Sequence, residues 1–163
     1  MKKSLSIIMV LVLACVMAFS LVGCGGGNEP YANVLDSLKS ALEGNGKALV
    51  SVFPPEYDEI MKMGGMSMDS LAEAFEQEYA DANVSGVRYK VEESTALTAD
   101  EVSSINEDRK MYEALGITAK DVTEGYNVTA VYTADGEDTP ATFHLTVILI
   151  DGKWYIDPTS MSM

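Results

Sequence analysis

Two successive periods of apolar residues organise the chain after an almost unbroken apolar run from Leu5 to Val22. Tyr31, Val34, Leu35, Leu38 and Leu42 recur at helical spacing, which predicts an amphipathic helix begun by Asn28-Glu29-Pro30 and stopped by Gly44-Asn45-Gly46. Leu49, Val52 and Phe53 predict a short second helix broken by Pro54-Pro55. A third turn of helix runs from Glu56 to about Met63, ahead of Gly64-Gly65. Ser70-Leu71-Ala72-Glu73 reads as a capping box, opening a helix with Leu71, Phe75, Tyr79 and Ala82 on one face.

The period then shortens to two. Val87, Tyr89 and Val91 alternate with Arg88, Lys90 and Glu92, the pattern of a half-buried strand. Thr98-Ala99-Asp100-Glu101 is a second capping box, and Val102, Ile105, Arg109, Tyr112 and Leu115 continue a helix from it. Gly116 before Ile117 fits a helix C-cap with its hydrophobic contact. Three strands close the chain. One runs from about Asp121 to Thr133, with Tyr126, Val128, Ala130 and Tyr132 on one face. The next runs from about Ala141 to Ile150, with Phe143, Leu145, Val147 and Leu149 on one face. Asp151-Gly152 is a tight hairpin signal, followed by Lys153 to Asp157 and a terminating Pro158.

Helices, strand, helix and then an antiparallel meander make an α+β layout. The expectation is N-terminal helices packed on a curved antiparallel sheet of about four strands. With the closing Asp151-Gly152-Lys153-Trp154-Tyr155-Ile156, this layout resembles small lipoproteins of clostridia-like Gram-positive bacteria whose domain is nuclear-transport-factor-like, or cystatin-like. The resemblance covers about Pro30 to Asp157 and implies a cone, often with a pocket between sheet and helices. It implies no single activity, because such a fold hosts enzymes, binders and inert modules.

The beginning of the chain carries the sharpest motif. Lys2-Lys3, the apolar run and small residues at its end define a secretory signal, with a membrane-spanning segment as the rival reading. Leu21-Val22-Gly23-Cys24 decides between them, because it resembles the lipobox of bacterial lipoproteins. That resemblance implies that the Cys24 thiol takes the lipid and that Gly23 admits the peptidase. Residues 1–23 are then a signal peptide, 24–29 the lipidated cysteine with a Gly-rich tether, 30–158 one α+β domain, and 159–163 a tail. Two acyl chains hold a protein stably where one does not, so the membrane is the expected partner, reached through Cys24, on its outer face.

Removing 23 residues from 163 leaves 140, enough for one domain with a core of its own and small for a two-lobed solute-binding protein. The formal charge of −14 becomes −16 without Lys2 and Lys3. Phosphate backbones and anionic lipid head groups would repel such a domain, which argues against nucleic acid and leaves the acyl chains to hold it down. Cys15 falls in the signal and Cys24 is consumed by lipid, so the domain has neither thiol nor disulfide. Gly25-Gly26-Gly27-Asn28 spans only about 11 Å as coil, which keeps the domain close to the bilayer.

Candidate chemistry is sparse, and no cofactor is implied. Met61, Met63, Met66 and Met68 supply soft sulfur suited to copper(I), against the plainer role of filling gaps beneath a helix end. His144 is the single histidine, mid-strand on the face opposite Phe143 and Leu145, where a cross-strand surface role outweighs general-base work. Asp135, Glu137 and Asp138 crowd one hairpin loop without the spacing of a calcium loop. Tyr89, Tyr126, Tyr132 and Trp154 come from several strands and could line a concave sheet face for a small amphipathic ligand, or simply form core. No catalytic residue and no metal ligand is assigned. The expected function is a membrane-anchored, non-enzymatic module binding a small ligand or a protein near the membrane. The alternatives are a cone-pocket enzyme of the isomerase or hydratase type, or a methionine-based copper(I) binder.

Overall fold

The computed structural model describes residues 29–80, 84–136 and 138–160. The apolar run before Cys24, the tether and Ala82 lie outside the described residues. Helices α1 (Ala32–Leu42), α2 (Gly46–Ser51), α3 (Glu56–Met63) and α4 (Met68–Tyr79) precede strand β1 (Arg88–Ala96). Helices α5 (Ala99–Arg109) and α6 (Met111–Ala114) then lead into strands β2 (Val122–Thr133), β3 (Ala141–Ile150) and β4 (Lys153–Ile156). The four strands form one antiparallel sheet in the order β1-β2-β3-β4. The architecture is therefore α+β, with N-terminal helices on an antiparallel sheet, as the periodicity predicts.

Each helix end has an identifiable cause. Glycine with positive φ closes α1, α3 and α6: at Gly65, for example, the Met66 N–H donates to the Met61 carbonyl and the Gly65 N–H to the Lys62 carbonyl. That paired bonding satisfies carbonyls the helix leaves open. The same geometry at Gly116 buries Ile117, as its sequence position leads one to expect. Thr98 and Glu101 form a complete capping box at α5. For α4 the expected box at Ser70 is displaced. Ser67 is the cap, its hydroxyl accepting from the Ser70 N–H. Asp58 of α3 accepts from the Met68 N–H, so the helix starts one turn earlier.

One face of the sheet carries the main core. Tyr31, the N-cap residue of α1, and Val34, Leu35 and Leu38 within it pack against Val91, Val128, Ala130, Tyr132, Leu145, Val147, Trp154 and Ile156. A second, smaller cluster lies on the opposite face, where Val102 and Ile105 of α5 cover Val122, Ile148 and Ile150. Ile148 alternates with Val147, so β3 is apolar on both faces at this end. The strand has to be covered twice there, and α5 supplies the second cover. The β4 edge is closed by the α2–α3 connection, with the Ile156 N–H donating to the Val52 carbonyl at 2.7 Å.

Among the described residues no helix is long and apolar enough to cross a membrane.

Candidate functional site: a polar groove on the outer sheet face

The four strand aromatics named from the sequence come together under α1. Tyr31, which caps that helix, is wholly buried, and its ring lies 5.3 Å from Tyr126 and 6.1 Å from Trp154. Tyr89 and Tyr132 stack obliquely at 5.5 Å. Their hydroxyls are spoken for: Tyr132 donates to the Leu35 carbonyl and Tyr89 to Asp36 of α1. Burial, helped by Asp36, raises the Tyr89 phenol to about 12. Burial, with Tyr89 and Asp36 adding to it, pushes Tyr132 higher still. Tyr132 and Trp154 are core residues, whereas Tyr89 and Tyr126 are half-buried beside it.

A groove of about 400 Å³ opens instead on the other face, in the area α5 leaves uncovered. Its floor is a grid of outward side chains from three neighbouring strands. Glu93, Thr129 and His144 stand in register in one row, and Thr95, Asn127 and Thr146 in the next. Strand spacing puts neighbours in a row roughly 5 Å apart, within reach of one another. A hydrogen bond of 3.1 Å joins Thr129 Oγ1 and His144 Nδ1, and Thr146 Oγ1 donates to Asn127 Oδ1 at 2.9 Å.

The position of β1 in this grid depends on one extra residue. Up to Val91 the odd positions of β1 face the core, so Glu93 and Thr95 would follow them inward. The pairing with β2 slips between Val91 and Glu93, leaving Glu92 as a bulge. A bulge shifts the alternation by one residue. Ser94 thereby turns to the core side, where its hydroxyl accepts from Tyr31, and Glu93 and Thr95 join the outer rows. Beyond Ile156 the chain continues beside β3, the Asp157 N–H donating to the Thr146 carbonyl. A 3₁₀ turn over Pro158–Ser160 then brings Ser160 to the wall of the groove. Ser160 Oγ accepts from the Thr146 N–H and donates to the Asp157 carbonyl.

At the end of the groove nearest α5, Gly125 lies beneath Leu97, whose side chain occupies the space a Cβ at position 125 would need. The outer face thus passes from a covered apolar end to an open polar middle. Among the described residues no three His, Cys, Asp or Glu side chains cluster as a metal site would require. The methionines divide: Met68 is buried and Met61 half-buried, while Met63 and Met66 are 62 % and 42 % exposed. In the acidic hairpin Asp135 pairs with Arg88, and Glu137 lies outside the described residues.

His144 stands where its place in the strand predicts, on the outer face. Its companions Glu93, Thr95, Asn127, Thr129 and Thr146 escape sequence reasoning, because nothing in Val91-Glu92-Glu93 announces the bulge. No protein-family model matches the chain, and no curated protein or solved structure is significantly similar to it.

Proposed function

We propose that the protein is a lipid-anchored, non-enzymatic binding module on the outer face of the cell membrane, with the outer-face groove as its binding site. The observation that carries the anchor is Leu21-Val22-Gly23-Cys24 at the end of the Leu5–Val22 run. The folded domain is well under way by Tyr31, whose side chain is wholly buried. Only a few Gly-rich residues therefore separate Cys24 from the packed core, and a tether that short holds the domain at the bilayer. The helix-on-sheet layout is in keeping with the cystatin-like lipoprotein domains that the chain resembles.

Binding is assigned to the groove because the two faces differ in what they have left to offer. On the inner face, α1 engages the aromatic rings and two of their hydroxyls. On the outer face, short polar side chains stand open to solvent beside preformed hydrogen bonds. A preorganised polar concavity is what a binding site needs to fix the orientation of its ligand.

The anchor is tested by replacing Cys24 with Ser in the full chain and expressing it in a lipoprotein-processing bacterium. The expected result is loss of acyl labelling and retention of residues 1–23. Unchanged labelling, or wild-type protein that keeps its leader, overturns the reading.

A further inference from the structure

Resting on the groove as the binding site, we infer that its ligand is a neutral, hydroxyl-rich molecule of mono- or disaccharide size. The lining contains no lysine or arginine, and its charged member is Glu93. In a chain of formal charge −14, such a site repels phosphate, sulfate and carboxylate groups, whose recognition depends on charge-assisted donors.

What the lining does offer is dual hydrogen-bonding capacity. Thr95 and Thr129 carry hydroxyls that donate and accept, Thr146 and Ser160 keep acceptor capacity because their protons go to Asn127 and to the Asp157 carbonyl, and Asn127 keeps two amide donors. A sugar hydroxyl also donates and accepts, so it is matched best by groups of this kind set at regular intervals. The two rows provide that regularity, with side chains roughly 5 Å apart across strands and roughly 7 Å apart along them. The bonds already made, Thr129 with His144 and Thr146 with Asn127, fix the side chains while leaving each capacity to spare. Among the described residues, His144 Nε2 and the Asn127 amide donors have no protein partner. A volume of about 400 Å³ sits at the small end of the range for small-molecule sites.

Glu93 gives the site its polarity. Its carboxylate accepts from a hydroxyl at one end of the row, while His144 at the other end offers a ring nitrogen. A ligand lying along the row meets an acceptor, a hydroxyl and an imidazole in turn.

The test is nuclear magnetic resonance of the full chain in neutral detergent, following the methyl groups of Thr95, Thr129 and Thr146 and the ring of His144. The probes are maltose, N,N′-diacetylchitobiose, glucose 6-phosphate and spermidine, each titrated separately into the millimolar range. The expected result is saturable shifts at these residues with at least one neutral sugar and none with glucose 6-phosphate. Thr129→Val and Thr146→Val keep the strand-favouring branched shape, and each should weaken sugar binding about tenfold by removing a hydroxyl bond. Thr142→Val, on the same face outside the groove, should not. Shifts with spermidine or glucose 6-phosphate but with neither sugar overturn the ligand class and leave the groove as a binding site. Silence with all four probes, or sugar binding indifferent to both valine variants, overturns the groove itself.

Discussion

Arg109 and Glu56 form an ion pair whose side chains are only 5 % and 6 % exposed. The pair joins the last residue of α5 to the first residue of α3. Helix α5 covers the outer face of the sheet, and α3 follows the connection that closes the β4 edge, so the contact straps α5 to that edge. Arg109 also donates to the Lys120 carbonyl, and its Nε has no partner among the described residues.

The chemistry of that strap predicts an asymmetric response to mutation. Arg109→Met should cost about 3–5 kcal/mol, because it leaves the Glu56 carboxylate buried without a counter-charge. The double variant Glu56→Leu with Arg109→Met should recover most of that loss, since apolar groups of similar size remove the desolvation penalty of both ions. Urea unfolding of the wild type, the single variant and the double variant measures this. A double variant no more stable than Arg109→Met would show that geometry, not charge burial, makes the strap.

Gly46 begins α2 and lies against the backbone of α4, where a Cβ would run into the Ala72 carbonyl. Two effects compete in Gly46→Ala. Alanine favours helix by up to about 1 kcal/mol, whereas overpacking against backbone costs about 1–3 kcal/mol or more. The clash should win, because a carbonyl fixed in α4 cannot swing aside as a side chain can. The expected outcome is net destabilisation, read as a lower thermal midpoint, and a midpoint at or above wild type would contradict the packing described.

Local patterns that need only neighbouring residues were legible in the sequence. The alternation of Ala141 to Ile150 gives β3 its full extent. The Asp151-Gly152 hairpin appears with positive φ at both residues, as its turn chemistry requires. Arg109 falls on the buried face of α5, as its spacing from Val102 and Ile105 implies, but the partner that makes burial tolerable is 53 residues away in sequence. The candidate site was harder to read for the same reason. His144 is locatable from its own strand, whereas the row Glu93–Thr129–His144 depends on how three strands register and on a bulge at Glu92. Ser67 replaces Ser70 as the α4 cap, next to a Met68 N–H that donates to Asp58, ten residues before Met68 and in another helix.

Methionine oxidation should separate the two halves of the Met61–Met68 segment. In hydrogen peroxide the thioether sulfur takes one oxygen atom and water is released, at a rate that follows exposure. Met63 and Met66 flank the α3 cap in solvent, while Met68 is buried at the start of α4. Peptide mass spectrometry at short times should find sulfoxide at Met63 and Met66 well before Met68. Equal rates would mean that α4 does not hold Met68 as described.

Alkaline titration probes the contact between α1 and β1. The Tyr89 hydroxyl donates to Asp36 Oδ1 at 3.1 Å, and burial together with that carboxylate raises its pKa from 10.0 to about 12. The neutral phenol is thus favoured in the fold relative to the unfolded chain. The sign follows: this contribution is complete below pH 10, and it is lost as the pH rises through about 12. Asp36→Asn keeps an acceptor near the hydroxyl but removes the negative charge that opposes ionisation. The Tyr89 transition, isolated as the absorbance difference between wild type and Tyr89→Phe, should therefore move to lower pH in the Asp36→Asn background. An unchanged midpoint would mean that burial alone sets the Tyr89 pKa and that α1 does not bring Asp36 to the strand.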